Sequence, residues 1–186
     1  GSLGGKARGL AFMNSMLVKY CQYAKYENVR VTIPRTVVVA TDYFDAFIRN
    51  NGLEYVLTTE MTDEEILSEF VSSTLPYKLR EALKAYVRTV SGPLAVRSSS
   101  KLEDSHYQPF AGIYSTYMIP YTEGNEDRQL RLLQKAIKSV YASTYFAASK
   151  AYVQSSQNLI AEEKMAVVIQ EVCGTEQDGL FFPTLS

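Results

Sequence analysis

The segment Pro93-Leu94-Ala95-Val96-Arg97-Ser98-Ser99-Ser100-Lys101-Leu102-Glu103-Asp104 runs from a short apolar stretch straight into an arginine, three hydroxyls and two carboxylates. Successive side chains of a strand point to opposite faces, so Leu94, Val96 and Ser98 are expected on one face and Ala95, Arg97 and Ser99 on the other. Arg97 is thereby aimed from a sheet, and a strand that ends in such a loop suits the handling of phosphate. Taken alone, the segment fits equally an arginine at the solvent end of a strand followed by a serine-rich turn. The surrounding segments decide between the two.

Upstream, Gly4-Gly5-Lys6 precedes a helical pattern in which Leu10, Met13, Leu17, Tyr20, Cys21 and Ala24 recur at steps of three and four, a glycine loop opening an amphipathic helix. Thr36 to Ala40 reads as a short buried strand, and Thr41 as the cap of a helix that ends at Gly52. Thr62-Asp63-Glu64-Glu65 has capping-box spacing, with Ile66, Phe70 and Val71 as the apolar stripe behind it. Pro76 can open a further helix to about Val90, because its missing N–H is not needed in a first turn.

Downstream, Ile113 to Ile119 is expected to return as a strand, which makes the polar stretch between a hairpin lid. Glu126 to Phe146 is helical, with Leu130, Leu133, Ala136, Ile137, Val140 and Tyr141 on one side, and a second helix continues to about Gln154. Met165 to Val172 is an apolar strand and Gly179 to Phe182 begins another, the latter with no partner after it, as in a fragment of a larger protein. The fold class expected is α+β, with a helical and α+β section over about 1–92 and a strand, lid and helix section over about 93–186.

With 186 residues, 46% of them apolar and 21% charged, the chain can bury one substantial core or two small lobes. A net charge of -1 argues against nucleic acid or a membrane surface as the main partner, and no apolar run is long enough to span a bilayer. Cys21 and Cys173 lack zinc-ligand spacing and read as reduced core residues. Gly1 to Leu10 has no apolar signal-peptide region, so a cytoplasmic setting is the default expectation, and Gly1-Ser2 fits a cleaved-tag remnant. The fourteen tyrosines are expected on half-buried helix faces.

Four places carry phosphate or nucleotide chemistry. Backbone N–H groups at a glycine-rich helix start attract anions, and Lys6 adds a point charge there. Arg97 can fork two phosphate oxygens, Gly112 lets a lid backbone approach a ligand, and the Gln170 strand could present backbone N–H and C=O to an adenine edge beside Val168 and Val172. Each also has a plain structural reading as a helix entry, a turn glycine or core. Walker A is excluded, since Ala7 follows Lys6 where serine or threonine would hold magnesium, and no G-x-G-x-x-G fingerprint exists. His106 reads as a solvated loop histidine.

In order, Gly4 to Leu10, Ala95 to Ser100, Glu103-Asp104, Phe110-Ala111-Gly112 and Val167 to Gln170 resemble the N-terminal nucleotide-binding domain of phosphoenolpyruvate synthase and pyruvate phosphate dikinase. Thr36 to Asn51, Leu133 to Ala151 and Gly179 to Phe182 extend the resemblance over nearly the whole chain. It implies the N-terminal part of an ATP-grasp domain, in which two α+β lobes clasp ATP. Lys6 and Arg97 would bind phosphates, Arg97 with a catalytic role, while Ser98 and Ser99 support the loop. Gly112 would lie in the lid, and Gln170, Glu171 and Val172 would form the adenine-side hinge. The resemblance also implies Mg2+, with ligands beyond Ser186, and partner domains of the same parent chain that carry a phospho-histidine and bind pyruvate. Two departures stand out: Ile113-Tyr114 follows the lid glycine where the family has polar residues, and Pro183 to Ser186 replaces its Thr and Asp-Pro. They leave room for a degenerate nucleotide sensor, or for a histidine-relay phosphotransferase with another acceptor.

Overall fold

The computed structural model describes residues 2–20, 33–100, 114–155, 164–178 and 180–183. In chain order these form α1 (Gly4–Tyr20), β1 (Thr36–Val39), α2 (Thr41–Asn51), a 3-10 turn (Leu53–Leu57), α3 (Asp63–Ser72), α4 (Tyr77–Val87), β2 (Leu94–Ser99), β3 (Thr116–Ile119), α5 (Glu126–Ser143), α6 (Ala147–Ser155), β4 (Ala166–Glu171), β5 (Gly174–Gln177) and β6 (Leu180–Pro183). The fold is α+β.

Local chemistry accounts for several of these boundaries. Thr62 and Glu65 close a reciprocal capping box on α3, with the Thr62 N–H on Glu65 Oε2 at 2.8 Å and the Glu65 N–H on Thr62 Oγ1 at 3.2 Å. Gly52 ends α2 in the left-handed region at φ 63°, donating its N–H to the Arg49 carbonyl. Asn125 caps α5 by accepting from the Arg128 N–H at 3.0 Å. The expected single helix to Phe146 breaks after Ser143, where Asp63 Oδ1 takes the Ala147 N–H at 2.8 Å and starts α6.

Four strands form one antiparallel sheet in the order β1-β4-β2-β3. Thr36 stands opposite Gln170, Gln170 opposite Ala95, and Ala95 opposite Met118; one rung pair along, Val168 stands opposite Arg97, and Arg97 opposite Thr116. Directly opposed residues share a face. The other face carries Val39, Leu94, Val96, Ile119, Val167 and Ile169, with Ser98 and Glu171 at its ends, and packs on α2 to α5. At the centre of that core Tyr141 meets Phe44 edge-on at 5.1 Å and Phe47 at 5.5 Å, while Phe70 sits between Phe47 and Tyr145.

Four expectations need correction. The apolar stripe of α1 is not a core face: only Gly4, Gly5 and Ala7 are buried, and Met13 and Tyr20 are exposed, because α1 rests on β2 and β4 only through its first turns. Cys21 and Ala24 lie outside the described residues. Thr41 is not an N-cap; the cap position is Ala40 without a side-chain bond, and the Thr41 hydroxyl is taken by Ser2. Cys173 is exposed rather than a core residue, because β4 ends at Glu171 and the chain leaves the sheet there. The last expected strand is described as β6, Leu180–Pro183, and it is not without a partner: it pairs backwards with β5, next to a turn residue, Asp178, with φ 53°. The tyrosines divide between buried positions such as Tyr141 and exposed ones such as Tyr77. Among the described residues no helix is long and apolar enough to cross a membrane.

Candidate nucleotide site

The end of β2 is where the site assembles. Leu94, Val96 and Ser98 face the core as the alternation requires, and Arg97 projects from the opposite face into solvent. Ser99 shares the Arg97 face yet is fully buried, because the start of α1 lies across it. The Ser99 hydroxyl donates to the Leu3 carbonyl at 3.0 Å and accepts the Ala7 N–H at 3.2 Å, so it replaces one of the bonds that a helix start leaves unmade. The Gly5 N–H reaches the Ser100 carbonyl at 3.1 Å.

Contact this close requires glycine. At Gly4, with φ at 70°, a Cβ would sit 1.9 Å from the Ser99 carbonyl oxygen. The same approach delivers Lys6, whose Nζ donates to the Ser98 carbonyl at 3.1 Å and to Ser98 Oγ at 3.4 Å. Lys6, Arg97, Ser98 and Ser99 are thus brought together at one strand end from positions more than ninety residues apart. The Arg97 side chain makes no hydrogen bond or ion pair with another described residue, so its guanidinium fork is available. A cation fixed at a helix start beside a free guanidinium on a sheet face fits the charge and geometry of a phosphate group.

Gln170 lies on the Arg97 face, and its side-chain amide donates to Thr36 Oγ1 at 3.1 Å. Glu171 points to the opposite side, where its carboxylate is 3.6 Å from the Arg35 guanidinium, itself bonded to the Thr89 carbonyl at 2.7 Å. The Glu171 N–H is taken by the Arg35 carbonyl and the Val172 N–H by the Pro93 carbonyl, at 3.0 and 2.9 Å. Sequence reasoning had no means of showing that those two donors are occupied. On the open face a groove of about 350 Å³ runs between α1 and β1, walled by Leu3, Ala7, Leu10, Thr36 and Val38, within the size range of small-ligand pockets. Gly112, with Glu103, Asp104 and His106, lies outside the described residues. Among the described residues no group of three or more His, Cys, Asp or Glu could hold a metal ion, so the donor set for Mg2+ is not met by them.

Two features escaped the sequence reading. The Ser99 contact with residues 3 to 7 has no local signal, whereas the β5–β6 hairpin had one in the dipeptide Asp178-Gly179.

The chain is 31% identical over 157 residues to the uncharacterized phosphotransferase YvkC of Bacillus subtilis, covering 81% of this chain and 17% of that protein. It is 29% identical over 202 aligned residues to the phosphoenolpyruvate synthase of Aeropyrum pernix, covering 97% of this chain and 22% of that protein. The chain therefore spans about a fifth of the length of these curated relatives. The family described as pyruvate phosphate dikinase, AMP/ATP-binding domain, matches residues 1–184. With a basic strand end, a glycine-bedded helix start and a family match over nearly its whole length, the chain belongs to the pyruvate phosphate dikinase AMP/ATP-binding domain family, a family of ATP-binding phosphotransferases.

Proposed function

We propose that this chain is the front part of an ATP-grasp nucleotide-binding domain, in a parent enzyme that moves a phosphoryl group from ATP to a histidine on another of its domains and from there to pyruvate. The observation that carries the reading is the pairing of Lys6, anchored on Ser98, with the free guanidinium of Arg97 on the same strand end. Arg97 forks two phosphate oxygens and opposes the charge that builds on the transferring group, while Lys6 and the N–H groups at the start of α1 hold the neighbouring phosphate. Ser98 and Ser99 fix that arrangement, and Gly112 belongs to the lid over the triphosphate. Gln170, Glu171 and Val172 line the adenine side. With the Glu171 and Val172 N–H groups taken, the Gln170 amide and the backbone carbonyls are the natural contacts there. Magnesium, when bound, neutralises phosphate charge; its ligands belong to a part of the parent beyond Ser186. The setting is the cytoplasm.

The test is ATP affinity in the full-length parent. Arg97→Ala removes a charge-assisted hydrogen-bond pair and should weaken binding roughly ten- to a hundredfold, with Lys6→Ala acting in the same direction but less. Unchanged affinity in Arg97→Ala would make that residue structural and remove the basis of the reading. Incubation of the parent with ATP, magnesium and pyruvate then separates activities: AMP as product marks dikinase-type chemistry, and dependence on added phosphate separates the dikinase from the synthase. A second reading is a nucleotide sensor that binds ATP without transfer, favoured by Pro183 at the end of β6 where the family carries threonine. It predicts ATP binding with neither AMP nor ADP formed. A histidine-relay enzyme with another acceptor would instead form a phosphorylated histidine that pyruvate does not discharge.

A further inference from the structure

We infer that Thr41 is a positioning residue for the phosphate site, acting through the chain segment that carries Lys6; the inference rests on the nucleotide reading above. Thr41 is the first residue of α2, 2% exposed, and its hydroxyl does not cap its own helix. Its Oγ1 accepts the Ser2 N–H at 3.0 Å, and its own N–H donates to the Ser2 carbonyl at 3.1 Å. Only the backbone of residue 2 takes part, so the pair is independent of which side chain stands there.

These two bonds fix one end of a short strap. The other end is fixed on β2, where Leu3, Gly5 and Ala7 bond Ser99 and Ser100. Gly4 lies among these contacts, its backbone so close to the Ser99 carbonyl that a Cβ would not fit, and Lys6 follows two residues later. The start of α1 contributes little burial of its own beyond Gly4, Gly5 and Ala7. The position of the ammonium therefore depends on polar contacts, its own with Ser98 and those of the strap, rather than on apolar packing. Without the Thr41 acceptor, residue 2 loses one of its two bonds and its part-buried N–H is left unmet, so the strap loosens at its first anchor and holds Lys6 less firmly at the phosphate position.

In the full-length parent, Thr41→Val keeps the volume of the side chain and deletes the acceptor. ATP affinity should fall about three- to tenfold, with the affinity for adenosine, which has no phosphate, unchanged. Thr41→Ser keeps the hydroxyl and should bind ATP like the wild type. In a Lys6→Ala background Thr41→Val should cost nothing further, since residues that act through one contact are not additive. Equal ATP affinity in wild type and Thr41→Val overturns the inference, as does an equal loss for adenosine, a loss in Thr41→Ser, or a loss that persists without Lys6. Failure of the wild-type parent to bind ATP would instead remove the nucleotide reading itself. If Thr41→Val does not fold, Thr41→Ala is read against Thr41→Ser by the same criteria.

Discussion

At the scale of single residues, Gly4 carries the tightest constraint in the described chain. A methyl group there would collide with backbone that cannot yield, at a φ that L-residues seldom adopt. Gly4→Ala should lower stability by about 2–4 kcal/mol, measured as a shift of the urea midpoint, and a variant of wild-type stability would mean that α1 sits away from Ser99. Tyr141 makes the opposite case. Its ring is locked against Phe44 and Phe47, but its buried hydroxyl has no hydrogen-bond partner among the described residues. Tyr141→Phe should therefore stabilise the domain by about 1 kcal/mol, and a loss of stability in the same denaturation experiment would show that the hydroxyl has found a partner. The direction of Arg97 was legible because strand alternation alone fixes it. The demand for glycine at Gly4 was not, because it is imposed by a carbonyl ninety-five residues further on.

At the scale of elements, α2 to α5 hold the core through aromatic contacts, and that core has a pH signature. Burial raises the Tyr141 and Tyr145 phenols well above the ordinary range, and pushes Tyr86 up to about 12, with the Glu171 carboxylate adding to it. A phenol whose folded value is raised holds its proton longer in the native state than in the unfolded chain. Its contribution is complete below the ordinary value of 10.0 and is lost as pH rises from there. Lys138, whose ammonium bonds the Val71 and Ser73 carbonyls at the end of α3, is shifted downwards by burial and gains stability over the window just below the ordinary lysine value. Three phenols outweigh one part-exposed lysine, so stability should decline on raising the pH above about 10. In a spectrophotometric titration the buried phenols should ionise together with unfolding, and ionisation of all tyrosines in a still folded protein would contradict this. Helix caps were readable at this scale because Thr62 and Glu65 meet within one turn. The stripe of α1 misled because periodicity shows which residues can share a face and not whether anything covers that face.

At the scale of the whole molecule, the four-stranded sheet joins segments from both sections of the chain, with β1 against β4 and β2 between β4 and β3. The proposed phosphate contacts lie on the open face of that sheet, and the chain spans about a fifth of its curated relatives. The 186-residue chain on its own is therefore expected to turn over no ATP above the level of its Arg97→Ala variant, since positioning of both nucleotide and acceptor is what the full parent supplies; turnover by the wild-type chain alone, measured by nucleotide product analysis, would overturn that expectation. The sequence by itself determined the α+β class, most helices, the capping box of α3, the direction of Arg97 and the family, all of which depend on residues a few positions apart or on the order of short motifs. The tertiary structure alone decided the strand order, the burial of Ser99 under α1, the occupation of the Glu171 and Val172 N–H groups, and the diversion of Thr41 from its own helix to Ser2. Each of these depends on a hydrogen bond between residues distant in sequence, such as Ser99 to Leu3 across 96 positions, and no local pattern encodes which distant partner will satisfy a buried polar group.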